Sequence, residues 1–166
     1  MAHCLASVQL EVGVAPELQP LELKQVLRNL EASILPERGN TIALLFETRA
    51  DLCVLANSLL LTSALSNLVQ NALKFSSPKS TIRLHSRQSG EFSAVDVEDE
   101  CGGLGDLDTT RLFLPYVKRA QDNPQGSGLG LSIAKRAVEA MHGTLAVVDI
   151  PGRGCVFSVS FPAIIV

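Results

Sequence analysis

The chain has 166 residues, of which 46% are hydrophobic and 19% charged, with a formal net charge of −3. That length holds one domain whose core needs no disulfide or metal, and the composition excludes a disordered chain. The slight acidic excess argues against a nucleic-acid surface, which needs a concentrated basic face, and no run of about 18 apolar residues reads as a membrane span.

With aromatic residues at 4% and no Trp, the core must be built from Leu, Val, Ile and Ala. Residues 1–4 lack the basic-then-apolar order of a secretion signal. Residues 1–17 read as a linker or upstream remnant, with an alternation over 8–14 that suits a short strand. Leu21, Leu23, Val26, Leu27, Leu30, Ile34 and Leu35 recur at helical steps. Pro20 suits the first turn of that helix, and Pro36 with Gly39 ends it. Strands are predicted over 41–47 and 51–56, joined as a hairpin by Thr48, Arg49 and Ala50. Asn57 or Ser58 caps a helix that runs to Phe75 and stops before Pro78.

Further strands are predicted over 80–86 and 92–97. From Asp99 to Gly130 the chain is rich in Gly, Asp and Pro, with one apolar piece, Leu112, Phe113 and Leu114. A long loop inside a domain is usually functional. A helix over 128–141 follows, closed by His142 and by Gly143 in the left-handed C-cap position. Strands over 144–149 and 155–161 flank a turn at Pro151, Gly152, Arg153 and Gly154. Alternating helices and strand pairs of this kind predict an α/β fold: a two-layer sandwich with a mixed β-sheet packed on about three helices.

Three stretches carry polar chemistry. On the helix ending at Phe75, Asn67 and Asn71 lie one turn apart with Lys74 close by. Two amides and an ammonium offer oxygen to a hard cation and charge to phosphates. Taken alone, the same stripe is more often the solvated side of an amphipathic helix. Asp99 leaves a strand and enters a turn containing Gly102, Gly103 and Gly105. A carboxylate there can accept from an exocyclic amine, and glycine lets a flat ligand approach the backbone, although glycine is ordinary in any turn. Gly126, Ser127, Gly128, Leu129, Gly130 and Leu131 lead a loop into a helix, whose first N–H groups attract phosphate oxygens. That spacing fails the dinucleotide-fold pattern, because the third Gly is misplaced and no strand precedes it. Cys4, Cys53, Cys101 and Cys155 form no Cys-x-x-Cys pair and read as small residues, buried or partly so.

In order and spacing, the three stretches resemble the N-box, G1 box and G2 box of the Bergerat-type ATPase and kinase superfamily. The branch they are most similar to is the catalytic and ATP-binding domain of sensor histidine kinases. Asn67-Leu68-Val69-Gln70-Asn71-Ala72-Leu73-Lys74-Phe75-Ser76 resembles its N-box. Leu112-Phe113-Leu114-Pro115-Tyr116 resembles its F-box, and Gly126 through Ala134 its G2 box. Gly143-Thr144 with Gly152, Gly154 and Phe157 resembles its closing strand pair. The resemblance covers residues 18–163 and implies an ATP-binding domain over 18–166.

By that resemblance Asn71 holds a Mg²⁺ that bridges the ATP phosphates, and Lys74 touches the phosphates. Asp99 binds the adenine amino group, with Gly103 and Leu104 beside the ring. Gly126, Ser127, Gly128, Leu129, Gly130 and Leu131 shape the lid base, and Lys118 or Arg119 adds charge. Asn67 stands where ATP-hydrolysing relatives carry Glu. An amide cannot activate water, which favours transfer to a neutral imidazole over hydrolysis. Asn67, Asn71 and Lys74 are thus the catalytic set, acting by positioning and charge neutralisation. Two positions depart from the pattern: Cys101 replaces the first Gly of the G1 box, with Gly102 available to compensate, and Cys155 stands where Thr is frequent.

None of His3, His85 and His142 lies in a phosphoacceptor pattern. The resemblance therefore implies a protein-histidine kinase domain whose phosphoacceptor His lies on a dimerisation hairpin outside this chain, with a response regulator downstream. Nucleic acid is not an expected partner, the isolated domain is expected to be monomeric, and its place is the cytoplasm, whether or not the full protein is membrane-anchored. An anti-sigma-type serine kinase and a non-catalytic, nucleotide-responsive interaction module are the alternatives.

Overall fold

The computed structural model describes residues 15–34, 41–49, 51–117 and 128–164. Its elements in chain order are β1 (Gln19–Glu22), α1 (Leu23–Ser33), β2 (Ala43–Glu47), β3 (Cys53–Ala56) and α2 (Ser58–Phe75). They are followed by β4 (Thr81–Ser89), β5 (Phe92–Glu98), α3 (Gly130–Ala140), β6 (Thr144–Ile150) and β7 (Gly154–Ile164). The possible strand over 8–14 lies outside the described residues.

The strands form one seven-stranded sheet in the order β1-β3-β7-β5-β4-β2, with β6 also paired to β7. Only the β2–β4 pairing is parallel, so the sheet is mixed as expected. Side-chain alternation sorts its two faces. Val97 pairs with both Leu84 and Phe157, and all three are fully buried beneath the helices. One residue along, His85 pairs with Asp96 and Asp96 with Ser158, giving a polar outer face. There Arg87 is ion-paired with the buried Asp96 carboxylate, and this bond, outweighing the cost of burial, holds the guanidinium above its ordinary pKa.

The helices cover the apolar face. Leu23, Val26, Leu27 and Leu30 of α1 are buried at helical spacing. In α2 the buried set includes Leu60, Leu61, Ala64, Leu65 and Leu68, and in α3 it includes Ala134, Ala137 and Val138. Burying each large apolar side chain contributes about 1.5–3 kcal/mol. Asn57 caps α2, its side-chain oxygen accepting from Leu60 N–H at 3.1 Å, while its Nδ2 donates to the Glu17 carbonyl. Asn57→Ala should therefore lower stability by about 1 kcal/mol, seen as a fall in Tm of roughly 3 °C in a thermal melt.

Three sequence expectations are corrected here. Pro20 does not open α1; it sits in β1, paired with Leu55. Edge strands accept proline, and pairing with β3 outweighs its preference for a helix start. Residues 48–50 do not make a hairpin. β2 pairs with β4, β3 pairs with β1 and β7, and Arg49 N–H donates to Ser86 Oγ of β4, so the two strands flanking this link are not partners. At the end of α3 the left-handed residue is His142 (φ 61°), not Gly143. Gly143 is required for room, because a Cβ there would lie 2.5–2.8 Å from the Phe161 ring.

Candidate functional site

The site is built on the helix-covered face from α2, the end of β5 and the start of α3. The spacing of Asn67, Asn71 and Lys74 on α2 grades them from buried through half-buried to exposed. Asn67 is 7% exposed, which rules out a merely solvated stripe. The start of α3 meets this row, for a Cβ on Gly130 would lie 3.5 Å from Asn67 Oδ1.

The start of α3 also differs from the sequence reading. Gly128 (φ 67°) precedes the helix, Leu129 is its N-cap, and the helix proper begins at Gly130, not 128. The first-turn N–H groups of Gly130, Leu131 and Ser132 have no partner within the helix, as at any helix start. Tyr116 N–H donates to the Gly128 carbonyl at 3.0 Å, and a Cβ on Gly128 would lie 3.1 Å from Tyr116 Cα. The chain before and after residues 118–127 is thus joined at one point. Lys118, Arg119, Gly126 and Ser127 lie outside the described residues. Leu112 is buried, and Phe113 packs edge-on to Phe157 with ring centres 6.3 Å apart while Lys135 Nζ lies over the Phe113 ring. The F-box-like segment is therefore anchored to the core at its start, by Leu112 and Phe113, while Leu114 and Tyr116 are exposed.

Asp99 follows β5 and is 5% exposed. Its Oδ1 accepts from Cys101 N–H at 3.1 Å and Cys155 N–H at 3.0 Å, while its own N–H donates to the Cys155 carbonyl. The turn after it is closed onto the β6–β7 connection by Gly102 N–H to the Arg153 carbonyl and Gly152 N–H to the Gly102 carbonyl. Cys101 does not occupy the left-handed region; Gly102 (φ 84°) and Gly103 (φ 98°) do. Leu104 is a core residue whose N–H donates to Asp149 Oδ1 at 2.9 Å.

Among the described residues, six buried side-chain atoms have no hydrogen-bond partner: Asn67 Nδ2, Asn71 Nδ2 and Asp99 Oδ2 at this site, Ser63 Oγ and Ser76 Oγ along and just after α2, and His85 Nδ1 on the outer face. Leaving such a group unsatisfied costs about 1–3 kcal/mol, so three on one face of the domain mark a surface shaped for a polar ligand. The sequence reading missed two members of this surface. Asp149 anchors the glycine turn from a strand end, with no motif to signal it. Cys155, read only as a small residue where Thr is frequent, donates its N–H to Asp99 and touches Cys101, with sulfurs 3.2 Å apart.

An open mixed sheet with helices on one face and buried polar atoms along α2 and the end of β5 defines a ligand-binding α/β sandwich. Residues 56–165 match the family described as histidine kinase-, DNA gyrase B- and HSP90-like ATPase, and the chain belongs to that family of ATP-binding domains. It is 32% identical over 162 residues to the sensor protein KdpD of Mycobacterium tuberculosis, covering 93% of this chain and 18% of that protein. It is 29% identical over 154 residues to the sensor histidine kinase RcsC of Escherichia coli, covering 88% of this chain and 16% of that protein. The chain therefore spans less than a fifth of either relative. Among solved structures, the catalytic domain of histidine kinase ThkA superposes with a TM-score of 0.73 at 27% identity, over 88% of this chain and 95% of that one. No helix among the described residues is long and apolar enough to cross a membrane.

Proposed function

We propose that this chain is the ATP-binding kinase domain of a two-component sensor histidine kinase. It transfers the ATP γ-phosphate to a histidine on a dimerisation hairpin outside the chain, from which a response regulator receives it. The domain occupies residues 18–166, works in the cytoplasm and is monomeric in isolation. The observation that carries the reading is the set of buried, unpartnered polar atoms on Asn67, Asn71 and Asp99.

In this reading the Asp99 carboxylate accepts from the adenine amino group through Oδ2, while two backbone N–H groups hold Oδ1. Gly103 and Leu104 line the ring. The phosphates lie toward α2 and the first turn of α3, where Lys74 and the N–H groups of Gly130 and Leu131 supply positive charge. Gly128 and Leu129 shape the approach, with Gly126, Ser127 and Lys118 or Arg119 completing the lid. The residues also suit Mg²⁺, because the half-buried Asn71 amide carries an oxygen that a hard cation accepts as ligand, while its Nδ2, without a partner in the fold, can donate to a phosphate oxygen. When bound, that ion neutralises charge on the phosphates. Asn67 has no carboxylate with which to activate water, so the site orients the terminal phosphate for a neutral imidazole, a nucleophile that needs no strong base.

The test is transfer of label from γ-labelled ATP to a separate phosphoacceptor hairpin. Acid-labile label on its histidine is expected. Acid-stable label on a serine of a partner protein, or no transfer by a chain that binds ATP, would overturn the reading. Asn71→Asp should weaken ATP binding about tenfold without Mg²⁺, because a carboxylate then faces phosphates, and recover most of the loss with Mg²⁺. Calorimetric titration with and without the ion checks this, and an equal effect in both would count against Asn71 as the ligand.

A further inference from the structure

Cys101 and Cys155 are 54 residues apart in sequence, yet their sulfurs touch at 3.2 Å. The cause is backbone geometry: the N–H groups of both residues converge on Asp99 Oδ1. A disulfide needs about 2.05 Å, so a closure of roughly 1 Å would join them. Cys101 is half-buried and so open to a small oxidant in its own right, whereas Cys155 is only 1% exposed, at a cleft of ≈ 140 Å³ that Asp99 and Arg153 also line. The Cys101 thiol is held below the usual thiol range, chiefly by the hydrogen bond from Cys155, against burial and the Asp99 carboxylate. The half-buried Cys101 sulfur is thus the better nucleophile and the buried Cys155 sulfur is placed to resolve it.

We propose that Cys101 and Cys155 are a site of reversible oxidation by hydrogen peroxide, and that the disulfide they form switches off ATP binding. The Cys101 thiolate attacks one peroxide oxygen, the O–O bond breaks, and the leaving hydroxide takes a proton to become water. Cys101 is then a sulfenic acid. The Cys155 sulfur attacks the Cys101 sulfur, the S–O bond breaks, and a second water leaves with the Cys155 proton. Two thiols have lost two electrons and the peroxide has gained them; a dithiol reductant reverses the bond by exchange. Closure draws the turn onto β7 and strains the two N–H donors, at 3.1 and 3.0 Å, that position the Asp99 carboxylate. Such a bond holds only over about 2.7–3.2 Å, so a shift of a few tenths of an ångström in either donor turns the acceptor from its place. This effect on ATP rests on the adenine role proposed for Asp99; the bond itself does not.

The experiment treats the fully reduced chain with a slight excess of hydrogen peroxide. Tryptic peptides are then mapped without reduction, and ATP affinity is measured before oxidation, after it and after re-reduction. The expected result is a cross-link between the peptide running from Gln88 to Arg111 and the one after Arg153, with ATP affinity falling at least tenfold and returning on reduction. The cross-link should persist in Cys53→Ser and vanish in Cys155→Ser. Oxidation that stops at Cys101 acids, or a cross-link that leaves ATP affinity within twofold, would overturn the proposal. A reduced chain that binds no ATP would overturn the switch together with the adenine role of Asp99, while the peptide map would still report whether the bond forms.

Discussion

Asp99→Asn is expected to weaken ATP binding by about 100-fold while leaving the fold in place. The side-chain oxygen of Asn can still accept from the N–H groups of Cys101 and Cys155, so the turn keeps its closure. What changes is the second position. The buried carboxylate oxygen that has no partner becomes an N–H₂ group, and the adenine amine then meets a donor in place of an acceptor. Losing a charge-assisted bond and leaving two donors unsatisfied costs about 3 kcal/mol, which is close to two decades in affinity. Calorimetry measures the affinity, and a thermal melt of the same sample measures the fold. A variant that binds ATP within threefold of the parent would remove Asp99 from the adenine site. A variant whose Tm collapses would show that the carboxylate is structural first.

The largest loss of stability is expected from Gly154→Ala. A Cβ at this first residue of β7 would overlap the Asp99 carbonyl oxygen and lie 3.1 Å from Glu100 Cα. Both neighbours are backbone, so no side chain can swing aside. The strand must move, and it carries Cys155, whose N–H and carbonyl hold Asp99 in place. Such a clash should cost about 4 kcal/mol, a fall in Tm of roughly 10 °C, and ATP binding should weaken with it. Gly152→Ala is the contrast. A Cβ there meets nothing within 4 Å, and only its φ of 76° is unfavourable, a strain of about 1–2 kcal/mol. Equal losses in the two variants would mean that conformational freedom, not close approach, is what Gly154 provides. The two glycines look alike in the sequence; only the neighbouring turn distinguishes them.

Much of the fold was legible because it rests on local signals. The apolar spacing from Leu60 to Leu68 placed α2, and the Asn57 cap fell where a side-chain acceptor precedes an apolar run. The alternation in β4 and β7 likewise follows from a sheet with one covered face. The errors came where pairing partners are distant in the chain. Pro20 looked like a helix start because nothing in residues 15–25 announces that β3 will lie beside them. The link over 48–50 looked like a hairpin because its length permits one, while Ser86 Oγ, far along the chain, draws it elsewhere.

The candidate site divides in the same way. The sequence by itself determined that Asn67, Asn71 and Lys74 share a helix face, that Asp99 leads into a glycine turn and that a glycine-rich loop enters α3. Each depends on helical periodicity or turn chemistry within a few residues. The tertiary structure decided that Asn67 is buried and meets Gly130, that Asp149 holds the turn through Leu104, and that Cys101 and Cys155 converge on one carboxylate oxygen. Those contacts join residues tens of positions apart. They depend on the register of β5 and β7 and on the packing of α3 against α2, which long-range burial selects and no local pattern encodes.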